Sequence, residues 1–209
     1  MKSQIKDLLI HPMKIISPKL VAATVAVAGL ATTASAKNFP VATAQDLQNA
    51  LTAAAGNGAD NTIQLAAGYY TGNFNYNAAD NNSLTLEPAA GLTNTDVTID
   101  GGGLGRDVII TSSGSSGNVT VSGLTFIRNC GNYQIGALRI AAATGGNITV
   151  SGCRFLSPTI SIGMGLEITA GLNTTIVNCS ILGKTTATYV NSNWQYDGNG
   201  INIVGVTGN

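Results

Sequence analysis

Three stretches of this chain align with one another, and a repeated unit constrains a fold more tightly than any local propensity. Asn118-Val119-Thr120-Val121-Ser122-Gly123-Leu124-Thr125-Phe126-Ile127 matches Asn147-Ile148-Thr149-Val150-Ser151-Gly152-Cys153-Arg154-Phe155-Leu156 at an offset of 29 residues. A more diverged copy, Asn173-Thr174-Thr175-Ile176-Val177-Asn178-Cys179-Ser180-Ile181-Leu182, follows 26 residues later. Within each copy the apolar residues alternate, as in a strand with one buried face, and the break at Gly123, Gly152 and Asn178 marks a bend into a second short strand. A third strand follows each copy: Leu138-Arg139-Ile140, Leu166-Glu167-Ile168 and Ile201-Asn202-Ile203. Three short strands per period describe one rung of a parallel β-helix.

Stacking the copies predicts inward ladders: Val119/Ile148/Thr174, Val121/Val150/Ile176, Leu124/Cys153/Cys179 and Phe126/Phe155/Ile181. Rungs about 4.8 Å apart bury their apolar side chains against their neighbours, so no rung is stable alone. Asn118, Asn147 and Asn173 fall at equivalent corners, where Asn tolerates a left-handed backbone and stacked amides can hydrogen-bond along the axis. Their expected role is structural.

Upstream, strands are expected at Thr62 to Leu65, Leu84 to Glu87, Val97 to Asp100 and Val108 to Thr111, between Gly- and Asn-rich turns. Before them, Thr43-Ala44-Gln45-Asp46 has the form of a capping box, and Leu47, Ala50, Leu51 and Ala54 follow at helical spacing up to Gly56. Such a helix would cap the N-terminal end of the solenoid. At the other end the chain reaches Asn209 directly after a third strand, and the expectation is that the β-helix is truncated there, continuing further or being covered by a partner.

Composition agrees with strands and turns: 26 of 209 residues are Gly and only 10% are charged. Residues 1–36 read as a secretory signal, with basic Lys14 and Lys19, an apolar run from Leu20 to Leu30 and the small-residue site Ala34-Ser35-Ala36. Met13 would open a compact signal by itself and is an alternative start. The apolar run is shorter than the roughly 20 residues that span a bilayer, so cleavage and secretion to the extracellular space or cell surface are expected. The one histidine, His11, then leaves with the signal, which removes imidazole bases and histidine metal sites from the mature chain. From Lys37 onward six basic residues face nine acidic ones, a balance of −3 that argues against nucleic acid as a partner. Cys130, Cys153 and Cys179 form no CxxC pair and match no zinc spacing. Cys153 and Cys179 should stack on adjacent rungs, near enough for a bridge by Cα distance but with parallel side-chain vectors that strain it; free buried thiols are expected.

The mature part resembles the secreted right-handed β-helix proteins of the pectin-lyase-like superfamily and, within it, the polymorphic outer-membrane and related surface proteins. The residues that carry this likeness are Asp46-Leu47 through Ala55-Gly56, Ile63 to Tyr70, Leu84-Thr85-Leu86, Asp100-Gly101-Gly102, Phe126-Ile127-Arg128-Asn129 and Gly136-Ala137-Leu138. The fold class is therefore read as all-β: a right-handed single-stranded parallel β-helix of three-strand rungs over 61–209, behind a capping segment with a short helix over 37–60. These motifs specify turns and ladders, and such folds host lyases, hydrolases, adhesins and stalks.

The resemblance implies two possible chemistries: an acidic calcium cluster with a basic proton acceptor in the lyases, and paired aspartates in the hydrolases. The candidates are Asp96, Asp100 and Asp107, with Arg106. Asp96 and Asp100 on one strand would lie roughly 13 Å apart, beyond the ~5 to 9.5 Å of a glycosidase pair. Asp100 opens Asp100-Gly101-Gly102-Gly103, a turn signature, and Asp107 could approach it across that turn. The glycine run has neither the following helix nor the lysine of a phosphate loop. Arg139 and Glu167 fall at the same outward position on successive rungs, as a solvated ion pair would, and Arg154 stands on another strand without an acidic cluster. From Ile181 to Ile201 the third rung carries about nine extra residues, including Tyr189, Trp194, Tyr196 and Asp197. Aromatic rings beside a carboxylate suit a sugar ring, although such rings equally serve to cover a solenoid flank. The expected function is a surface or extracellular stalk, adhesin or carbohydrate-contacting module meeting polysaccharide or cell-surface glycan. No cofactor or metal is expected for it; the alternative is a polysaccharide lyase, which would bring calcium, or a glycoside hydrolase.

Overall fold

A computed structural model describes residues 35–102, 105–114, 116–127, 137–142, 145–156, 165–169 and 173–182, together with the backbone of 186–190, 193–197 and 201–204. The signal segment lies outside the described residues apart from Ser35 and Ala36. The described residues form a parallel β-solenoid with one short helix. After β1 (Lys37–Val41) and α1 (Ala44–Ala54), successive rungs are β2 (Asn61–Leu65), β3 (Gly68–Thr71) and β4 (Phe74–Ala78); then β5 (Leu84–Pro88), β6 (Val97–Asp100) and β7 (Val108–Ser112). Next come β8 (Val119–Ser122), β9 (Thr125–Ile127) and β10 (Leu138–Ala142), and β11 (Asn147–Ser151), β12 (Arg154–Leu156) and β13 (Leu166–Thr169). The last described rung holds β14 (Asn173–Val177), β15 (Ser180–Leu182) and β18 (Ile201–Val204), with β16 (Thr186–Val190) and β17 (Asn193–Asp197) between the latter two.

The strands form three parallel sheets that run along the solenoid: β1-β2-β5-β8-β11-β14, β3-β6-β9-β12-β15 and β4-β7-β10-β13-β18. The expected register holds. Ile148 pairs with both Val119 and Thr174, Val150 with Val121 and Ile176, and Phe155 with Phe126 and Ile181. Alternation decides which residues face inward: Ile63, Leu86, Val121 and Val150 are fully buried, whereas their strand neighbours are partly exposed. Phe126 and Phe155 stack with ring centroids 5.2 Å apart and planes 10° from parallel, an arrangement that the rung spacing imposes on like residues one above the other.

The capping box is present. Asp46 N–H donates to Thr43 Oγ1 and Thr43 N–H to Asp46 Oδ2, each at 3.1 Å, and Leu47, Ala50, Leu51 and Ala54 turn inward. Gln48 does more than the helical spacing indicates: its amide donates to Asn75 O at 3.0 Å and accepts from Asn75 N–H at 2.9 Å. That side chain stands in for a neighbouring strand on β4, the outermost strand of its sheet, and so closes an otherwise open edge. The segment over 37–60 is also more than a cap, since β1 pairs in register with β2 from Lys37↔Asn61 to Val41↔Leu65.

The corner ladder of asparagines divides its expected roles. Asn147 N–H donates to Asn118 Oδ1 and Asn173 Nδ2 to Asn147 Oδ1, both at 2.9 Å. The left-handed backbone, however, belongs to Asn178 at φ 54°, the one such non-glycine residue among those described, which takes the place held by Gly152 one rung earlier and Gly123 two rungs earlier, both at φ 61°.

Candidate functional site

The turn between β6 and β7 brings the acidic candidates together. Asp107 Oδ1 accepts from Gly101 N–H at 2.9 Å and Asp100 Oδ1 from Gly102 N–H at 2.8 Å. A Cβ on Gly101 would sit 2.5 Å from Asp107 Oδ1, so the absence of a side chain is what lets this carboxylate reach under the turn. Asp100 also accepts from the Tyr69 hydroxyl on β3, and this bond, ahead of burial, pushes the Tyr69 hydroxyl up to about 12. Asp107 is 0% and Asp100 7% exposed. Asp107 is thus tucked under the turn at Gly101, whereas Asp100 lies against Gly102 and the exposed Tyr69 ring. Among the described residues no three of His, Cys, Asp and Glu come together.

Asp96 is a turn residue as well. Its Oδ2 accepts from Thr93 N–H at 2.7 Å and from Thr93 Oγ1 at 2.9 Å, and the backbone bond, with the hydroxyl second, holds its carboxyl below the usual range. Arg139 lies opposite Glu167 in register, with Nε 3.4 Å from Oε1. Arg106 makes the closer contact: it reaches from the β6–β7 turn past β10 to Glu167 Oε2 at 2.6 Å. Its backbone is held by Asn73, whose amide donates to Arg106 O at 2.7 Å. Arg106 and Arg139 thus form a two-arginine clamp on Glu167.

The segment predicted as an aromatic loop folds as an antiparallel ribbon of β16 and β17, the one antiparallel pairing described. Its register sets Tyr189 opposite Trp194, Ala187 opposite Tyr196 and Thr186 opposite Asp197. All four candidates of this segment therefore occupy ladder positions on two short strands.

A groove that the sequence reading missed lies at the corner between the first and second sheets. Two residues connect the strands at this corner in the other rungs, as Gly123-Leu124 and Gly152-Cys153 do, but residues 89–96 connect β5 to β6. This longer connection folds over the following rungs: Asn94 Nδ2 donates to Gly152 O at 2.7 Å, and Thr125 Oγ1 donates to Asn94 O. Between it and the corners runs an open groove of about 490 Å³ lined by Gln64, Glu87, Leu92, Ser122, Ser151 and Asn178, among others. Gln64 Nε2 donates to Glu87 Oε1 at 3.1 Å, which fixes the carboxylate at the groove wall. The length of the 89–96 connection against its two-residue counterparts is the signal that could have revealed it.

Comparison with protein-family profiles, with curated proteins and with solved structures returns no match. What the chain is rests on its own geometry: it is a parallel β-solenoid with an N-terminal helix.

Proposed function

We propose that this chain is an exported β-helix, of the pectin-lyase-like kind that its turn motifs resemble, and works as a non-catalytic surface module contacting extracellular polysaccharide or cell-surface glycan. The observation that carries the reading is the groove over the corner of the solenoid. It is open, long enough to follow several rungs, and offers hydroxyls from Ser122 and Ser151, amides from Gln64 and Asn178, and one carboxylate from Glu87 beside the apolar Leu92. Neutral hydrogen-bonding groups next to a small apolar surface suit a sugar, whose rings carry hydroxyl edges and C–H faces. The ribbon bearing Tyr189, Trp194, Tyr196 and Asp197 supplies a second contact on the same exported stalk or adhesin.

Retention on immobilised glycans tests this. Ser151 is outward-facing, so Ser151→Trp would fill the groove without touching the core, and retention should fall about tenfold, the loss of ~1.4 kcal/mol of binding. Trp194→Ala should weaken retention on its own. Retention indifferent to both changes would overturn the reading. The enzymatic alternative draws on the approach of Asp107 to Asp100 across Gly101. Calcium-dependent release of unsaturated sugar ends, lost in Asp100→Asn, would establish a lyase in its place; release of reducing ends without calcium would establish a hydrolase.

A further inference from the structure

Two thiols sit one above the other in the core. Cys153 follows Gly152 and Cys179 follows Asn178, so the same left-handed corner delivers each side chain inward on adjacent rungs. Backbone bonds hold the pair in stacked register on both sides: Gly152 N–H donates to Val177 O at 3.0 Å and Ser180 N–H to Cys153 O at 2.9 Å. At the spacing of hydrogen-bonded strands, about 4.8 Å, the two Cα atoms fall inside the ~4.4 to 6.8 Å window of a disulfide. Both are free thiols in this structure.

Their environments differ in a way that sets an order of reaction. Cys153 is 0% exposed and its Sγ donates to Ser151 O at 3.5 Å and to Val121 O at 3.7 Å. Cys179 is only half-buried, with Sγ donating to Val150 O and Val177 O, each at 3.5 Å. Each thiol therefore has a carbonyl partner in the rung before it. The neighbouring Cys179 thiol, with burial second, pushes Cys153 up, and Cys153 in turn holds Cys179 below the usual thiol range.

We propose that Cys153 and Cys179 form a disulfide clasp between adjacent rungs when the protein meets a small-molecule disulfide oxidant such as oxidised glutathione. Cys179, the accessible thiol, attacks one sulfur of the oxidant as its thiolate, forming a mixed disulfide and expelling one thiolate. Cys153 then gives up its proton and attacks Cys179 Sγ, closing the bridge and expelling the second thiolate. Two protein thiols and one disulfide become one protein disulfide and two thiols, with two electrons passing from the cysteine pair to the oxidant. In-register strands direct both side chains alike, so closing the bridge requires Cys179 to rotate toward Cys153. The resulting strain makes the bond readily reducible, as suits a reversible clasp more than a permanent staple. The clasp closes a 26-residue span and ties the Cys179 rung, where Ile176 and Ile181 are only partly buried, to the fully packed rung before it.

The test uses full-length protein carrying Cys130→Ser, which leaves these two thiols alone. Equilibrated with excess oxidised glutathione, unfolded and alkylated, it should take up no label, lose the mass of two hydrogens and yield a Cys153–Cys179 linked peptide. The oxidised form should melt about 5 °C above the reduced form. The added change Cys179→Ser, at the half-exposed position, should fold and show no oxidant-dependent shift. Two thiols still open to alkylation, glutathione retained on Cys179 without transfer to Cys153, or a bridge that leaves the melting temperature unchanged would each overturn the proposal.

Discussion

Gly152 shows how much one backbone angle decides in this fold. Its φ of 61° is left-handed, yet a Cβ built there would meet nothing nearer than Gly123 N at 3.8 Å, so space is available and only conformation is restrictive. Asn178 meets the same requirement one rung later at φ 54°, because a short amide side chain tolerates the left-handed region better than other residues do. Gly152→Val should therefore lower stability by about 2 kcal/mol, and Gly152→Asn by less than about 1 kcal/mol, read from urea unfolding midpoints at constant slope. Equal losses would show that the left-handed angle is not what limits this corner. Gly101 is the opposite case: there space is the constraint, since a Cβ would press on the Asp107 carboxylate.

Among the elements, the ladder through β9, β12 and β15 grades in burial: Phe126 is 0% and Phe155 2% exposed, whereas Ile181 is only partly buried against the core. Phe155→Ala removes a ring packed on both of its neighbours and should cost about 3 to 5 kcal/mol. Ile181→Ala should cost no more than about half of that, and chemical denaturation of the two variants measures the contrast. These ladders were legible in the sequence because like residues recur at a nearly constant offset with period-two alternation. The capping helix was legible because Thr43 and Asp46 stand three apart ahead of Leu47, Ala50, Leu51 and Ala54. What was not legible depends on how the turns fold back. Arg106 lies two strands away from Glu167, and the groove wall belongs to the non-repeating residues 89–96, which have no counterpart to align with. The strand character of β4 was hidden for a related reason: its rung has diverged, and Phe74 and Tyr76 stand where Val108 and Ile110 follow in the next rung.

For the molecule as a whole, the clearest dependence on pH lies on the alkaline side. Burial, with a smaller contribution from Asp80, pushes the Tyr76 hydroxyl up to about 12, and Tyr69 reaches about 12 through Asp100. A group whose folded value is raised stabilises the fold fully below its unfolded value, near 10 for tyrosine, and that contribution is lost as pH climbs toward 12. Thermal stability should thus fall between about pH 10 and 12, with phenolate absorbance rising later than in the unfolded chain. Tyr69→Phe should leave the Tyr76 share of that loss in place, since Tyr69 is raised chiefly by its bond to Asp100 and Tyr76 chiefly by burial. One property of the pairing reaches beyond the folded state. Among the described residues every parallel partnership joins residues 23 to 35 positions apart, from Asn61↔Leu84 to Leu84↔Val119. The entropic cost of closing each turn is therefore nearly the same wherever the turn lies. A polypeptide of this kind can assemble progressively as it emerges from a pore, each new coil templated by the one already laid down, without waiting for its far end to arrive.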